Sequence, residues 1–340
     1  MQKILIIGGT GTISTPITQK LAQDREVDLY VLNRGNHNQD LPETVSVLKG
    51  DINDFDSMAE QLAPHKFNTV INFVLYTPLQ AENNIKLFTG KTDQFILIST
   101  VAAYNHELSC YCDENMPMGN RFSAYGLNKK KVEEVFMQAY CENSFPVTIV
   151  RPSQTYSKER IPLSVKGPKG CWPVISRMMR GKEVIIHGDG QSVWSSTHAD
   201  DFANGFIGLI GRNETMGEAY QIMNTESHTW DMVYQELARL LNVEYKPVYI
   251  PSDQLMRSKK YDLMTSIQGD KRFSCIYDVS KIKNIVPDFE CKITVRDGLK
   301  RYLEYMDAHP DRKVEDPEYD LWCDETIASY RQAMDSFVIV

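Results

Sequence analysis

At 340 residues with 42% hydrophobic content, the chain can fill one large core or two lobes. A formal net charge of -8 counts against a nucleic-acid-binding surface, and the longest basic run, Lys129-Lys130-Lys131, is too short to hold the chain on an anionic membrane and reads as a solvated helix face. No apolar run approaches the ~18 residues that span a bilayer, and seven scattered cysteines with no signal-peptide pattern ahead of them fit a reduced, cytoplasmic setting.

The first element is the most informative. Apolar residues from Ile4 to Ile7 read as a buried parallel strand that empties into Gly8-Gly9-Thr10-Gly11-Thr12-Ile13-Ser14 and then into a helix, with Ile13, Ile17 and Leu21 at helical spacing. Gly8 and Gly11 permit a tight turn and close backbone approach, and a helix starting near Ile13 aims free N–H groups at an anion. Gly8, Gly11, Thr12 and Ile13 are therefore candidate contacts to a pyrophosphate, against the alternative of a strand-to-helix turn that binds nothing. Further strands are predicted at 28–32, 45–48, 69–73 and 94–99, with helices at 56–63 and 80–90 between them and another at 122–142. A sixth strand follows at 146–150. Strand alternating with helix predicts an α/β fold, a doubly wound parallel Rossmann sheet with a smaller C-terminal substrate lobe. We place the nucleotide-binding domain at 1–155 and the substrate lobe mainly at 156–340, with a segment at about 184–210 returning to the first domain. Within 156–340 the pattern predicts a Gly/Pro/Lys-rich loop at 157–173, a strand at 184–186, and helices at 200–210, 230–242, 294–308 and 320–336.

Tyr125 and Lys129 are four residues apart, which on a helix puts a phenol and an ammonium on one face. An ammonium beside the phenol, together with a cationic nicotinamide ring, would stabilise phenolate and lower the Tyr125 pKa from about 10, so that it exchanges a proton with a substrate hydroxyl near neutral pH. Such a pair is common on plain helix surfaces. The upstream cradle, Ser99-Thr100 at the end of the fifth strand, and the 25 positions from Thr100 to Tyr125 raise its significance here.

Together these residues resemble the short-chain dehydrogenase/reductase superfamily, in its extended branch, the NAD-dependent epimerase/dehydratase family. The resemblance implies that Thr100 bonds the substrate oxygen, with Ser99 as a neighbour able to substitute. It makes Tyr125 the acid/base and Lys129 the residue that orients the cofactor ribose and tunes Tyr125. It also implies that Asp51-Ile52 contacts adenine, that Arg151-Pro152-Ser153 forms a loop beside the nicotinamide, that His198-Ala199-Asp200-Asp201 is structural, and that two copies pair through the helices at 80–90 and 122–142.

Departures from the family pattern refine the reading. Ser14 replaces the third glycine and is small enough for close packing. Asn33-Arg34 stands where an acidic residue would hold an NAD ribose; an arginine fork suits a 2′-phosphate, so NADP is favoured over NAD, with Arg34 as a solvated or adenine-stacking residue the alternative. Val101 and Ala102 occupy positions that are acidic in 4,6-dehydratases, which disfavours that reaction. Trp194 replaces an arginine that grips the nucleotide diphosphate in epimerases. Candidate replacement cations are Lys166, Lys169, Arg177, Lys271 and Arg272, each more often a plain surface residue. Trp172 and Trp194 are candidate sugar stackers or core residues, and His106 a second acid/base or an idle loop residue. The glycines of Lys166-Gly167-Pro168-Lys169-Gly170 suggest a segment that closes over the site. Cys110-x-Cys112 lacks a second ligand pair at zinc spacing and reads as two loop thiols, so no metal is expected. The expected function is an NAD(P)-dependent oxidoreductase or epimerase acting on a hydroxyl or keto group of a sugar-like substrate; the alternative is a non-catalytic dinucleotide-binding regulatory or scaffold protein.

Overall fold

The computed structural model describes residues 1–35 and 38–337. The leading strands are β1 (Gln2–Ile7), β2 (Val27–Asn33), β3 (Ser46–Lys49), β4 (Phe67–Asn72) and β5 (Thr92–Ile98), followed by the short β6 (Tyr111–Cys112) and by β7 (Val147–Arg151). Helices α1 (Ser14–Gln23), α2 (Phe55–Leu62), α3 (Pro78–Phe88) and α4 (Ala124–Asn143) connect them. The central sheet is parallel throughout, in the order Ala219–Gln221, β7, β5, β4, β1, β2, β3. The order reverses between β1 and β4, and the crevice at that reversal is where doubly wound sheets bind ligands.

The near-continuous apolar runs of the strands are explained by burial on both faces. Ile4 and Ile6 of β1 join a core with Leu29, Val31, Ile71, Ile96 and Val150, while the alternate Leu5 and Ile7 join one on the other face with Val70, Phe95, Leu97 and Ile149. A third core belongs to the second lobe, packed from helices Trp172–Met179, Trp230–Leu241, Val295–Ala308 and Pro317–Asp335.

The predicted elements are present with ends shifted by a few residues at most. The return to the sheet is corrected: Val184–His187 stays in the second lobe, paired with Pro247–Ile250. Helix Ala199–Ile207 and strand Ala219–Gln221 make the return, the latter as the outer strand beside β7. The 166–170 segment, read as closing over the site, lies here against the C-terminal part of the chain. A Cβ on Gly167 would meet the Tyr319 ring at 2.9 Å, and Lys169 Nζ donates to the Glu315 carbonyl at 3.4 Å, so the segment is anchored on the C-terminal helix. Among the described residues no helix is long and apolar enough to cross a membrane.

Candidate active site

A cleft of about 790 Å³ opens at the carboxyl ends of β1, β2, β4 and β5. Its floor is the glycine turn. Gly8 has φ +86° and a Cβ there would meet Val74 Cγ1 at 2.8 Å, so both conformation and space demand glycine. Ile13, at the N-cap of α1, supplies no side-chain cap; Pro16 has no N–H and the Thr15 N–H donates to the Gly11 carbonyl at 2.9 Å, so an anion would meet the N–H groups ahead of Thr15. Ser14, in the third-glycine place, is buried and its Oγ accepts from the Gly11 N–H at 2.8 Å.

Gly8, Gly11, Thr12 and Ile13 line this cleft with Asn33, Arg34, Asp51, Ile52, Ser99, Thr100, Tyr125 and Lys129. Asn33 Nδ2 and Ser99 Oγ are buried there without hydrogen-bond partners, an arrangement that costs free energy unless a ligand or water meets them. Asp51 Oδ1 accepts from the Asn53 N–H at 2.9 Å and from Asn53 Nδ2 at 3.0 Å, and Gln80 Nε2 reaches Asn53 Oδ1 at 2.9 Å. These residues fit a dinucleotide: a cradle that a Cβ would fill, a helix N-terminus behind it, and buried unpaired polar atoms on Asn33 and Ser99, both of which line the cleft.

Local sequence brings Thr100, Tyr125 and Lys129 to one cleft. Thr100 ends β5 and accepts from the Ala102 N–H at 3.1 Å, starting a tight turn over 101–103. Ser123 caps α4 by accepting from the Gly126 N–H at 2.9 Å. A Cβ on Gly126 would lie 2.1 Å from the Ala102 carbonyl oxygen, so only glycine lets α4 approach the turn closely enough for the Tyr125 hydroxyl to reach Thr100. Tyr125 keeps 41% of its surface exposed while its hydroxyl is withdrawn. Burial pushes its pKa up to about 12, the nearby Tyr76 adding to the rise and the hydrogen bond to Thr100 opposing it.

Lys129 has no part in that rise. Lys129 is fully buried, not part of a solvated basic face. Its Nζ donates to the Ile98 carbonyl at 2.7 Å and sits 5.0 Å from the Tyr76 ring centre and 5.9 Å from that of Tyr125. Burial holds its own pKa down at about 8 despite Glu133, so the ammonium is weakened and aimed at a carbonyl.

Arg151 is also corrected. It lies outside the cleft lining, buried in an ion pair with Glu133 of α4, Nη2 to Oε2 at 2.6 Å, and its Nη1 donates to Tyr104 Oη at 3.2 Å and to the Glu114 carbonyl at 2.8 Å. Pro152 and Ser153 of the same loop do line the cleft. His198 caps the helix Ala199–Ile207, and Asp201 accepts from the Lys292 and Ile293 N–H groups, which are structural roles.

The cations weighed as diphosphate grips are elsewhere. Arg177 is paired with Asp320 and Asp324, Arg272 with Asp253, and Lys271 Nζ donates to the Ser164 carbonyl at 3.2 Å. Neither they nor Lys166 and Lys169 line the cleft. Trp194 is core, and Trp172 Nε1 bonds Glu315. His106 is buried outside the cleft, against Cys275. The sequence reading missed Tyr76, Gln80 and Arg160, which do line it. Arg160 closes the two-way backbone pairing with Ser157, a turn whose only sequence sign was the polar run after Tyr156.

A phosphate cradle and a Thr–Tyr–Lys set sharing one crevice of a doubly wound sheet define a dinucleotide-dependent enzyme. The chain belongs to the NAD dependent epimerase/dehydratase family, whose family model matches residues 4–223, a family of NAD(P)-dependent enzymes. The 2'-dehydrokanamycin reductase of Streptomyces kanamyceticus is 21% identical over 291 residues, 85% of this chain and 80% of that protein. A trifunctional UDP-glucose 4,6-dehydratase/UDP-4-keto-6-deoxy-D-glucose 3,5-epimerase/UDP-4-keto-L-rhamnose-reductase of Arabidopsis thaliana is 22% identical over 91% of this chain, which spans about half (48%) of that protein's length. Among solved structures, UDP-glucuronic acid 4-epimerase from Bacillus cereus, in complex with UDP-glucuronic acid and NAD, superposes with a TM-score of 0.72 at 18% identity, covering 90% of this chain and 99% of the other. The dTDP-glucose 4,6-dehydratase of Bacillus anthracis, in complex with NAD, gives 0.71 at 17% identity over 92% and 98%. These likenesses agree on the fold.

Proposed function

We propose that this chain reduces a keto group of a sugar-like substrate with NADPH. The observation that carries the reading is the shared cleft: Thr100 and Tyr125 line the same space as the Gly8–Ile13 turn, so a phenol that is protonated at neutral pH stands where a substrate carbonyl would meet a bound dinucleotide, and the reductive direction is supported by the likeness to the 2'-dehydrokanamycin reductase. A nicotinamide held between the Gly8–Ile13 turn and Tyr125 would supply the hydride. Tyr125 Oη donates its proton to the carbonyl oxygen as negative charge develops there, and the Thr100 hydroxyl gives that oxygen a second hydrogen bond. Lys129 tethers the end of β5 through Ile98 and presents its remaining N–H groups to the ribose side. Val101 and Ala102 offer no carboxylate for eliminating water, which supports oxidoreduction over 4,6-dehydration. Arg34, exposed at the β2 end of the cleft, supports NADP through its fork for a 2′-phosphate. Arg160 is the cation that faces the substrate end and takes over the anion contact that Trp194 cannot make.

The test is Tyr125→Phe assayed with NADPH and a panel of keto sugars. Turnover should fall about 10³-fold with NADPH affinity within about twofold of wild type. Wild-type turnover in Tyr125→Phe would remove the assignment.

A further inference from the structure

Between Thr100 and the start of α4 the chain makes a long excursion that meets the second lobe. β6 pairs in parallel with Ile276–Tyr277, Ile276 opposite Tyr111 and Tyr277 opposite Cys112. This junction brings together three residues that spacing along the chain kept apart. The imidazole nitrogen of His106 and the sulfurs of Cys112 and Cys275 all lie within 4.8 Å of one another, and all three residues are buried. His106 Nδ1 and Cys275 Sγ are 3.2 Å apart. Cys112 and Cys275 have no exposed surface at all, whereas Cys110 is exposed, so the reading of two loop thiols holds for Cys110 alone.

We infer that His106, Cys112 and Cys275 form a structural zinc site joining the loop after Thr100 to the second lobe. The geometry is that of a ligand set. With Zn–S near 2.3 Å and Zn–N near 2.0–2.1 Å in a tetrahedron, sulfur and nitrogen ligands stand about 3.6 Å apart and two sulfurs about 3.8 Å apart. The observed His106–Cys275 separation of 3.2 Å and the 4.8 Å limit on the other pairs bracket those values. Two thiolates and a neutral imidazole leave a charge that one Zn²⁺ balances, which makes burial of the group tolerable.

Buried polar atoms beside the cluster lack hydrogen-bond partners. His106 Nε2 has none, and neither have Tyr277 Oη and Asp270 Oδ1. Tyr277 lies next to Cys275, where its phenol or a water fills the fourth position. Asp270 is close enough to His106 to feel its charge, and metal-bound histidines regularly give their other ring N–H to a carboxylate. None of the three ligands lines the catalytic cleft, so the site is closed and its work is positional: it fixes the 101–122 segment, and with it the turn that holds Thr100 against α4.

The test uses the full chain purified under reducing conditions without chelators, with zinc measured by mass spectrometry after gel filtration. About one zinc per chain is expected. Cys112→Ser and Cys275→Ser should each bring it to background, and Cys110→Ser should leave it unchanged. In parallel, Co²⁺ alone is added to the zinc-stripped wild-type chain. Thiolate-to-cobalt charge-transfer absorption and intense tetrahedral d–d bands are expected, reversed by Zn²⁺. Wild-type protein that carries no zinc above background, or binds cobalt without the thiolate band, would overturn the inference; so would a Cys112–Cys275 disulfide in metal-free protein that zinc cannot displace under reductant. The cobalt arm needs no variant, so a serine variant that fails to fold leaves the test decisive.

Discussion

Lys129→Met should make the protein more stable at neutral pH while removing its activity. Methionine keeps the unbranched shape and fills the same buried slot without a charge. In the unfolded chain a lysine keeps its proton up to about 10.5, whereas burial holds it to about 8 in the folded protein. At about 1.4 kcal/mol for each step of one in pKa, confining the ammonium costs about 3 kcal/mol below pH 8. Against this, the variant leaves the Ile98 carbonyl without its 2.7 Å donor, worth about 1 kcal/mol. The net is about 2 kcal/mol in favour of methionine at pH 7, or about 3 °C in melting temperature for a chain of this size. The pH dependence carries the sharper content. Between about 8 and 10.5 the unfolded wild type binds a proton that the folded form does not, so wild-type stability rises with pH across that window while that of the variant does not. The two curves should therefore cross, leaving the variant about 1 kcal/mol less stable above the window. Thermal and urea unfolding of both proteins from pH 6 to pH 11 measure this. A difference that does not change with pH, or a variant less stable at pH 7, would refute the reasoning; turnover in the variant should fall at every pH.

Three further outcomes are expected. Arg34→Ala should weaken NADPH binding about 10- to 100-fold, as loss of a charged bidentate contact does, and change NADH binding less than about twofold; titration calorimetry reads both, and equal losses would make Arg34 an adenine-stacking residue, no loss for either a surface one. Glu133→Gln leaves the buried Arg151 guanidinium without its carboxylate and should cost about 3 kcal/mol in urea unfolding with cofactor affinity retained; a selective loss of cofactor binding would put Arg151 back beside the nicotinamide. With Lys129 held down at about 8 and Tyr125 protonated well above that, the reduction rate should be flat from pH ~6 to ~7 and change as Lys129 loses its proton near 8; a rate flat through pH ~9 would contradict the depressed lysine.

Much of this site was legible because it is local. The run from Ile4 to Gly11 encodes a strand buried on both faces and then a turn that only glycine allows, and both properties reside in consecutive residues. Tyr125 and Lys129 fall on one face by helical geometry alone. The reach of Tyr125 to Thr100 depends instead on a space that no spacing encodes, the close approach of Gly126 to the Ala102 carbonyl. Arg160 escaped notice for the same reason, since it enters the cleft from a four-residue turn set by its pairing with Ser157.

The misreadings of Lys129 and Arg151 concern charge, and they share one cause. A lysine or arginine in a sequence reads as surface because burying its charge alone is prohibitive; what makes burial affordable is a partner supplied by another element. Lys129 in a basic triplet looks solvated, but β5 brings the Ile98 carbonyl beneath it. Arg151 sits at the end of a strand, where a cofactor contact is natural, but α4 delivers Glu133 to it. One sign was available: Glu133 lies four residues beyond Lys129 and so on the same face of α4, which the chain therefore turns inward with both charges. A helix face that carries Tyr125, Lys129 and Glu133 at successive turns faces a catalytic cleft at one end and a buried ion pair at the other, so a lysine substitution should register in turnover and a glutamate substitution in stability. His106, Cys112 and Cys275 carry the same logic to a longer range, with ligands 169 positions apart in the case of His106 and Cys275 meeting where β6 joins the second lobe.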